Sequence, residues 1–186
     1  MKYQPYPKYK DSGVEWLGEI PEGWEVKRVK HLVEDGDGGV KIGPFGSAIK
    51  LEMMTDSDTG FIVYGQENVI ERDFNIGKRF MPFVYEDQFS VYNTQPGDIL
   101  VTMMGTGGRC CIVPPNCRKG IIDSHLMRIR LNDSLIYSNY FVMTFDESAT
   151  IKTQIDLNSK GSIMQGLNKG IVNRLLFHLP PLPTQR

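Results

Sequence analysis

The sequence predicts an α+β fold: a single globular domain with a mixed or antiparallel twisted sheet of short strands and a few peripheral helices. Three observations carry this. The apolar runs are short, as in FIVY at 61–64 and CCIV at 110–113, and turn-forming residues bound them. Nineteen glycines and eleven prolines in 186 residues favour many turns over a helical bundle. Helical spacing is confined to a few stretches scattered among the short strands. With 40% hydrophobic and 23% charged residues, the chain has the make-up of a globular protein able to bury one core.

Residues 1–23 read as an extended leader, punctuated by Pro5, Pro7, Pro21 and Gly23, with Trp16, Leu17 and Trp24 available to pin it to the body. The domain proper is expected over 24–180. Residues 24–32 (WEVKRVKHL) mix strand and helix spacing, which suggests a strand and then a short helical turn. Residues 36–46 (GDGGVKIGPFG) hold five glycines and a proline, the signature of a loop that approaches a ligand closely. A strand is expected at 61–64 and a helix at 84–91. Pro96-Gly97-Asp98 forms a turn before a buried strand at 99–104, and a second strand follows at 109–113.

Residues 122–131 alternate. His125, Met127, Ile129 and Leu131 share one face, and Leu126, Arg128 and Arg130 the other, so a half-buried strand with two arginines on its polar side is expected. His125 is accordingly read as a core histidine. Helices are expected at 135–145, with Asp133 or Ser134 as N-cap, and at 147–157, with Asp146 as N-cap. Residues 161–167 read as loop or short strand. Asn168 is suited to cap a short helix, and 175–179 reads as the last strand.

The formal net charge is −1, but its distribution is uneven. Residues 11–25 carry Asp11, Glu15, Glu19, Glu22 and Glu25 with no lysine or arginine. Residues 109–130 carry Arg109, Arg118, Lys119, Arg128 and Arg130 against Asp123, and 151–186 carry five basic residues against Asp156. Such segregation permits a basic face beside an acidic one. Cys110, Cys111 and Cys117 are too few for a four-ligand zinc site, and no signal peptide or apolar run of membrane-spanning length is present, so a cytoplasmic protein is expected.

Catalytic motifs fail on inspection. Glu22, Glu25 and Lys27 evoke a nuclease site, but they lie close together in sequence rather than on separate strands that could converge on a metal. Leu179-Pro180-Pro181-Leu182 lacks the Asp or Asn before the prolines and the aromatic after them that an adenine methyltransferase needs. Asp123, Ser124 and His125 are triad residue types, but neighbours on a strand face opposite ways. No cofactor is expected.

Several segments together resemble the target-recognition domain of type I restriction–modification specificity subunits (HsdS). They are 9–18 (YKDSGVEWLG), 20–24 (IPEGW), 43–48 (GPFGSA), 64–69 (YGQENV), 96–106 (PGDILVTMMGT) running into Gly108-Arg109, 124–131 (SHLMRIRL), 161–169 (GSIMQGLNK) and 179–183 (LPPLP). Each is modest alone; their order and spacing across nearly the whole chain make the combination specific. Gly107 and Thr184 depart from the family pattern. The resemblance implies a non-catalytic component that recognises one half of a bipartite double-stranded DNA target. Its implied partners are methyltransferase subunits and, through them, an ATP-dependent restriction subunit. Residues 181–186 would begin the spacer helix of that family, so a truncated form or a half-subunit is expected. The loops at 36–50, 64–69, 104–109 and 159–169 would supply the DNA contacts, through Lys41, Ser47, Lys50, Gln66, Asn68, Thr106, Arg109, Lys160, Ser162, Gln165 and Lys169. Two rivals stand beside this reading: a docking module for the methyltransferase subunit with little DNA affinity of its own, and a methyltransferase or nuclease fragment. Trp16, Trp24, Phe45, Phe61, Phe80, Phe83 and Phe89 are expected to pack in the core or leader.

Overall fold

The computed structural model of the chain describes residues 5–45, 47–105, 108–159 and 166–186. The chain opens with a hairpin of β1 (Tyr9–Asp11) and β2 (Glu19–Pro21) around a 3-10 turn. Then come β3 (Glu25–Arg28), β4 (Val40–Ile42), β5 (Phe61–Tyr64), α1 (Gln66–Ile70), β6 (Phe80–Met81), α2 (Glu86–Phe89) and β7 (Asn93–Thr94). The second half holds β8 (Ile99–Thr102), β9 (Cys110–Ile112), β10 (Gly120–Ile122), β11 (Leu126–Ile129), α3 (Ser138–Glu147), α4 (Ala149–Ser159), α5 (Lys169–Arg174) and β12 (Leu176–Leu179). The mixture of antiparallel and mixed sheets with short helices is the α+β arrangement that the sequence predicts.

Two four-stranded sheets make the body. The first, in the order β4-β11-β8-β9, is antiparallel throughout. The second, in the order β6-β5-β10-β7, is mixed, with β5 and β10 parallel. Side chains alternate along each strand, so one strand serves two cores. From the first sheet, Val101, Met127, Ile129 and Cys110 face the helices and pack against Phe141, Phe145, Ile151, Ile171 and Phe177. Phe141 stacks on Phe177 with ring centroids 4.8 Å apart. The opposite face, through Leu100, Leu126 and Cys111, meets Ile62, Tyr64 and Ile122 of the second sheet. The far side of that sheet, with Phe61, Val63 and Ile121, is covered by Met81 and Phe89. Hence β5, β8, β10 and β11 are buried along their whole length. Each buried phenylalanine or leucine contributes roughly 1.5–3 kcal/mol.

Several elements depart from the sequence reading. Val40–Ile42, expected as loop, is a strand because Val40 is apolar and pairs with Ile129, and Ile42 with Met127. The expected strand at 122–131 is broken: β10 ends at Ile122, a turn closed by Leu126 N–H to Asp123 O (3.2 Å) follows, and β11 begins at Leu126. His125 therefore sits on a turn with its side chain 56% exposed, not in the core. The arginine face of β11 is not solvated either; Arg128 is 2% exposed and lies between the sheets. Helix α3 begins at Ser138 after Tyr137, with no side-chain cap from Asp133 or Ser134. Asp146 lies inside α3 and accepts from the Cys110 N–H and from Arg72 instead of capping the next helix. The cap at Asn168 forms, accepting from Ile171 N–H at 3.0 Å.

Among the described residues of the leader only Ile20 is buried, and Trp16 is 55% exposed; an edge-to-face pair of Tyr6 and Trp24 pins the leader to the body. At the other end, Leu182–Gln185 form a single 3-10 turn in which Gln185 is buried, bonded to Leu135 O and Pro180 O. No helix among the described residues is long and apolar enough to cross a membrane.

Candidate nucleic-acid interface

Strand register decides which loops share a surface. In the first sheet Met127 lies opposite Ile42 and Leu126 opposite Thr102, while Val101 lies opposite Cys110. The end of β4, the end of β8, the start of β9 and the start of β11 are therefore at the same end of that sheet. In the second sheet Ile122 pairs with Tyr64 in parallel, so β5 and β10 finish together. The turn over 123–126 joins β10 to β11, which brings the ends of the two sheets to one place.

Backbone bonds tie the loops there. Gly43 N–H donates to Leu126 O (3.0 Å), Met103 N–H to His125 O (2.9 Å) and Asp123 N–H to Tyr64 O (2.9 Å). Leu167 N–H donates to Met103 O (2.9 Å), and Met104 bridges Gly166. A methyl group at Gly43 would sit 1.8 Å from the Asp123 carbonyl oxygen, so only glycine permits this approach. The segments starting at Gly43, Gly65 and Met103, the 123–126 turn and the stretch from Gly166 to Lys169 thus meet at one end of the molecule.

Among the expected contact residues, Ser47 and Lys50 are exposed beyond Gly43, with Lys50 Nζ 3.5 Å from Glu52. Arg109 is exposed; its N–H donates to Thr102 Oγ1, and it lines a small cavity of about 160 Å³ with Lys152, Asp146 and Asp156. Lys41 lies on β4 rather than on a loop, with its ammonium 5.6 Å from the Tyr92 ring centroid. Lys169 opens α5, and its ammonium lies 3.8 Å from Asp37.

Two of the expected residues have internal tasks. Asn68 is 1% exposed; its Oδ1 accepts from Gly65 N–H, and its Nδ2 donates to Asp73 O and Ile76 O. Its side-chain amide is thus engaged with backbone inside the loop, although it was expected among the DNA-contacting residues. Gln66 Oε1 accepts from Met104 N–H at 3.1 Å and so positions the neighbouring loop. Thr106, Lys160, Ser162 and Gln165 lie outside the described residues.

Sequence reasoning missed a polar cluster at the centre of this end. Asp123, with its side chain 11% exposed, accepts from Arg79 Nη1 (2.9 Å) and from His125 N–H (2.9 Å). Arg79 also reaches Glu67 at 2.7 Å. Burial works against the Arg79 charge, yet its hydrogen bond to Asp123 and the charge of Glu67 leave its pKa raised. The His125 ring Nδ1 is 3.8 Å from Asp123 Oδ2. The available signal was Asp123-Ser124, a turn-forming pair that interrupts the apparent alternation. Phe45 is the other surprise, 85% exposed at the tip after Gly43-Pro44.

The basic run at 109–130 does not form one face. Arg130 Nε bonds Asp98 Oδ1 at 2.8 Å and Arg128 lies buried beside the same carboxylate. Arg118 and Lys119 precede β10, at the opposite end of the second sheet, and pair with Asp58 and Glu86. Only Arg109 of the five stands at the loop cluster. Among the described residues, no three His, Cys, Asp or Glu side chains are placed to hold a metal ion.

No family model and no curated protein matches this sequence. Solved structures do match in fold. One, described as "Structural basis underlying complex assembly and conformational transition of the type I R-M system", superimposes with a TM-score of 0.62 at 14% identity, over 96% of this chain and 38% of that one. The HsdS subunit from Thermoanaerobacter tengcongensis superimposes with a TM-score of 0.62 at 17% identity, over 96% of this chain and 37% of that one. Nearly the whole of this chain, spanning well under half the length of those it matches, has the fold of HsdS subunits of type I restriction–modification systems.

Proposed function

We propose that this chain reads one half of a bipartite duplex-DNA target, as the recognition part of a type I specificity subunit, and makes or breaks no covalent bonds itself. Methylation and ATP-driven cleavage fall to partner subunits in this reading. The observation that carries it is the gathering of the loops beginning at Gly43, Gly65, Met103 and Gly166 at one end of two sheets, on a fold shared with HsdS. Glycines at such a surface let backbone amides approach phosphates, and side chains such as Ser47, Lys50, Arg109 and Lys169 reach phosphates or base edges. Thr106, Lys160, Ser162 and Gln165 belong to the same proposal by their place in sequence, and Lys41 by its place on β4. Gln66 and Asn68 act by shaping the loops.

The test is fluorescence anisotropy of the 186-residue protein with duplexes selected from a random-sequence pool, at low and at physiological salt. Salt-sensitive binding is expected, with Arg109→Ala weakening it several-fold and Glu19→Ala leaving it unchanged. Equal binding by both variants would move the interface elsewhere.

A second reading, docking of a methyltransferase subunit, is favoured by the exposed β1–β2 hairpin with its acidic side chains and the half-exposed Trp16. Capture of that subunit by a protein that ignores DNA at low salt would select it.

A further inference from the structure

Phe45, after Gly43-Pro44, presents a large apolar ring to solvent at the proposed DNA-facing end. Phe45 is 85% exposed, although the segment that leads to it is anchored. Ile42 pairs with Met127, Gly43 N–H bonds Leu126 O, Pro44 is buried, and Ala48 N–H closes a turn onto Phe45 O at 2.7 Å. The backbone leading to the ring is therefore anchored on the body. The residues that follow it, Ser47 and Ala48, are small and uncharged, so a ligand surface meets little steric or electrostatic resistance there. Lys50 lies just beyond, and the half-exposed His125 ring stands on the 123–126 turn against which Gly43 is pressed.

Among the described residues, the exposed Phe83 and Val84 lie on the 3-10 turn before α2, away from the loop ends, while Leu51, also exposed, follows Lys50 on the 3-10 turn at 51–53. Single exposed apolar residues are ordinary on protein surfaces; one fixed at the tip of a recognition loop has a use. Apolar side chains that enter a duplex insert between base steps, partly unstacking them, and aromatic rings also stack on exposed bases.

We infer that Phe45 is a wedge that inserts at a base step of the bound duplex, carried by the anchored Gly43-Pro44 segment. The inference rests on the DNA-reading function proposed above. Insertion unstacks one step and bends the helix, so Phe45 confers preference for an easily unstacked pyrimidine–purine step at the contacted position. No bond is made or broken.

The experiment uses the 186-residue protein and its own selected duplex, with 2-aminopurine placed at successive positions of the selected motif. For the unaltered protein, a rise in 2-aminopurine fluorescence at one step is expected on binding. Phe45→Ala should abolish that rise and weaken binding about ten-fold, whereas Phe45→Trp should retain both. The melting temperature of Phe45→Ala should be unchanged, since the ring packs on little of its own protein. If the unaltered protein binds but Phe45→Ala binds as tightly, or no step brightens, the wedge is wrong and the DNA-reading function stands. If Phe45→Ala loses only capture of a methyltransferase subunit, the ring is a protein contact and the wedge is again wrong. If the unaltered protein binds no duplex in the pool, both readings fall.

Discussion

Asn68 illustrates how one side chain settles a loop. Its amide accepts one backbone N–H and donates to two carbonyls, all within the segment from Gly65 to Ile76. Removing it leaves buried backbone groups without partners, so Asn68→Ala should cost about 2 kcal/mol in urea denaturation. If DNA affinity per folded molecule is unchanged at low temperature, Asn68 is a loop former and not a contact. The cysteines give a second residue-scale prediction. Burial pushes the Cys110 thiol well up, reinforced by the Asp146 carboxylate, and burial lifts Cys111 to about 12. Cys117, only partly buried, is raised as well, again chiefly by burial. With thiol reagents on the native protein, Cys117 should react first and Cys110 only after denaturation. Native-state labelling of Cys110 would show that α3 opens away from β9.

At the level of elements, the contact between the two sheets turns on Asp98, Arg128 and Arg130. Gly97, with φ of +91°, sets the turn that leads into β8, and Asp98 Oδ2 accepts from Gln95 N–H at 2.9 Å. Arg128 donates to the carbonyl oxygens of Asn93 and Val91 across the sheet interface. Burial, then repulsion from Arg130, draws the Arg128 pKa below its ordinary value, with Asp98 acting against both. Deleting the carboxylate removes the principal counter-charge of a buried guanidinium, so Asp98→Ala should cost about 3–5 kcal/mol. Arg128→Met leaves Asp98 with Arg130 and should cost less in the same denaturation assay. The reverse order would mean that the arginine's carbonyl contacts, not the charge pairing, hold the sheets together.

This element also marks what the sequence made legible. The β5 run FIVY, the turn at 96–98 before β8 and the Asn168 cap were visible because local chemistry alone dictates them. The alternation at 122–131 misled for a physical reason. Period 2 reports which residues share a face but not whether the polar face meets water, and here a second sheet covers it. For the same reason Arg128, on β11, looked like part of a surface stripe. The exposure of Phe45 was hidden because aromatic content normally signals core, and only the anchoring of Gly43 on a distant turn reveals that the ring is held outward. Of the proposed site, the sequence offered the loop segments; the Glu67-Arg79-Asp123-His125 cluster was not legible, since Arg79 is 12 residues from Glu67 and 44 from Asp123.

For the whole molecule, the account depends on one end of a two-sheet body acting as the DNA-facing surface while the acidic β1–β2 hairpin does not take part. A net charge of −1 means that attraction to DNA must come from local placement and not from the overall field. The most direct measurement is a hydrogen–deuterium exchange footprint of the 186-residue protein with and without its selected duplex. Protection is predicted in peptides covering 43–50, 103–109, 123–126 and 166–169, with 9–21 unaffected. Protection confined to 9–21, or spread over surfaces at the opposite end around 118–119, would contradict the account.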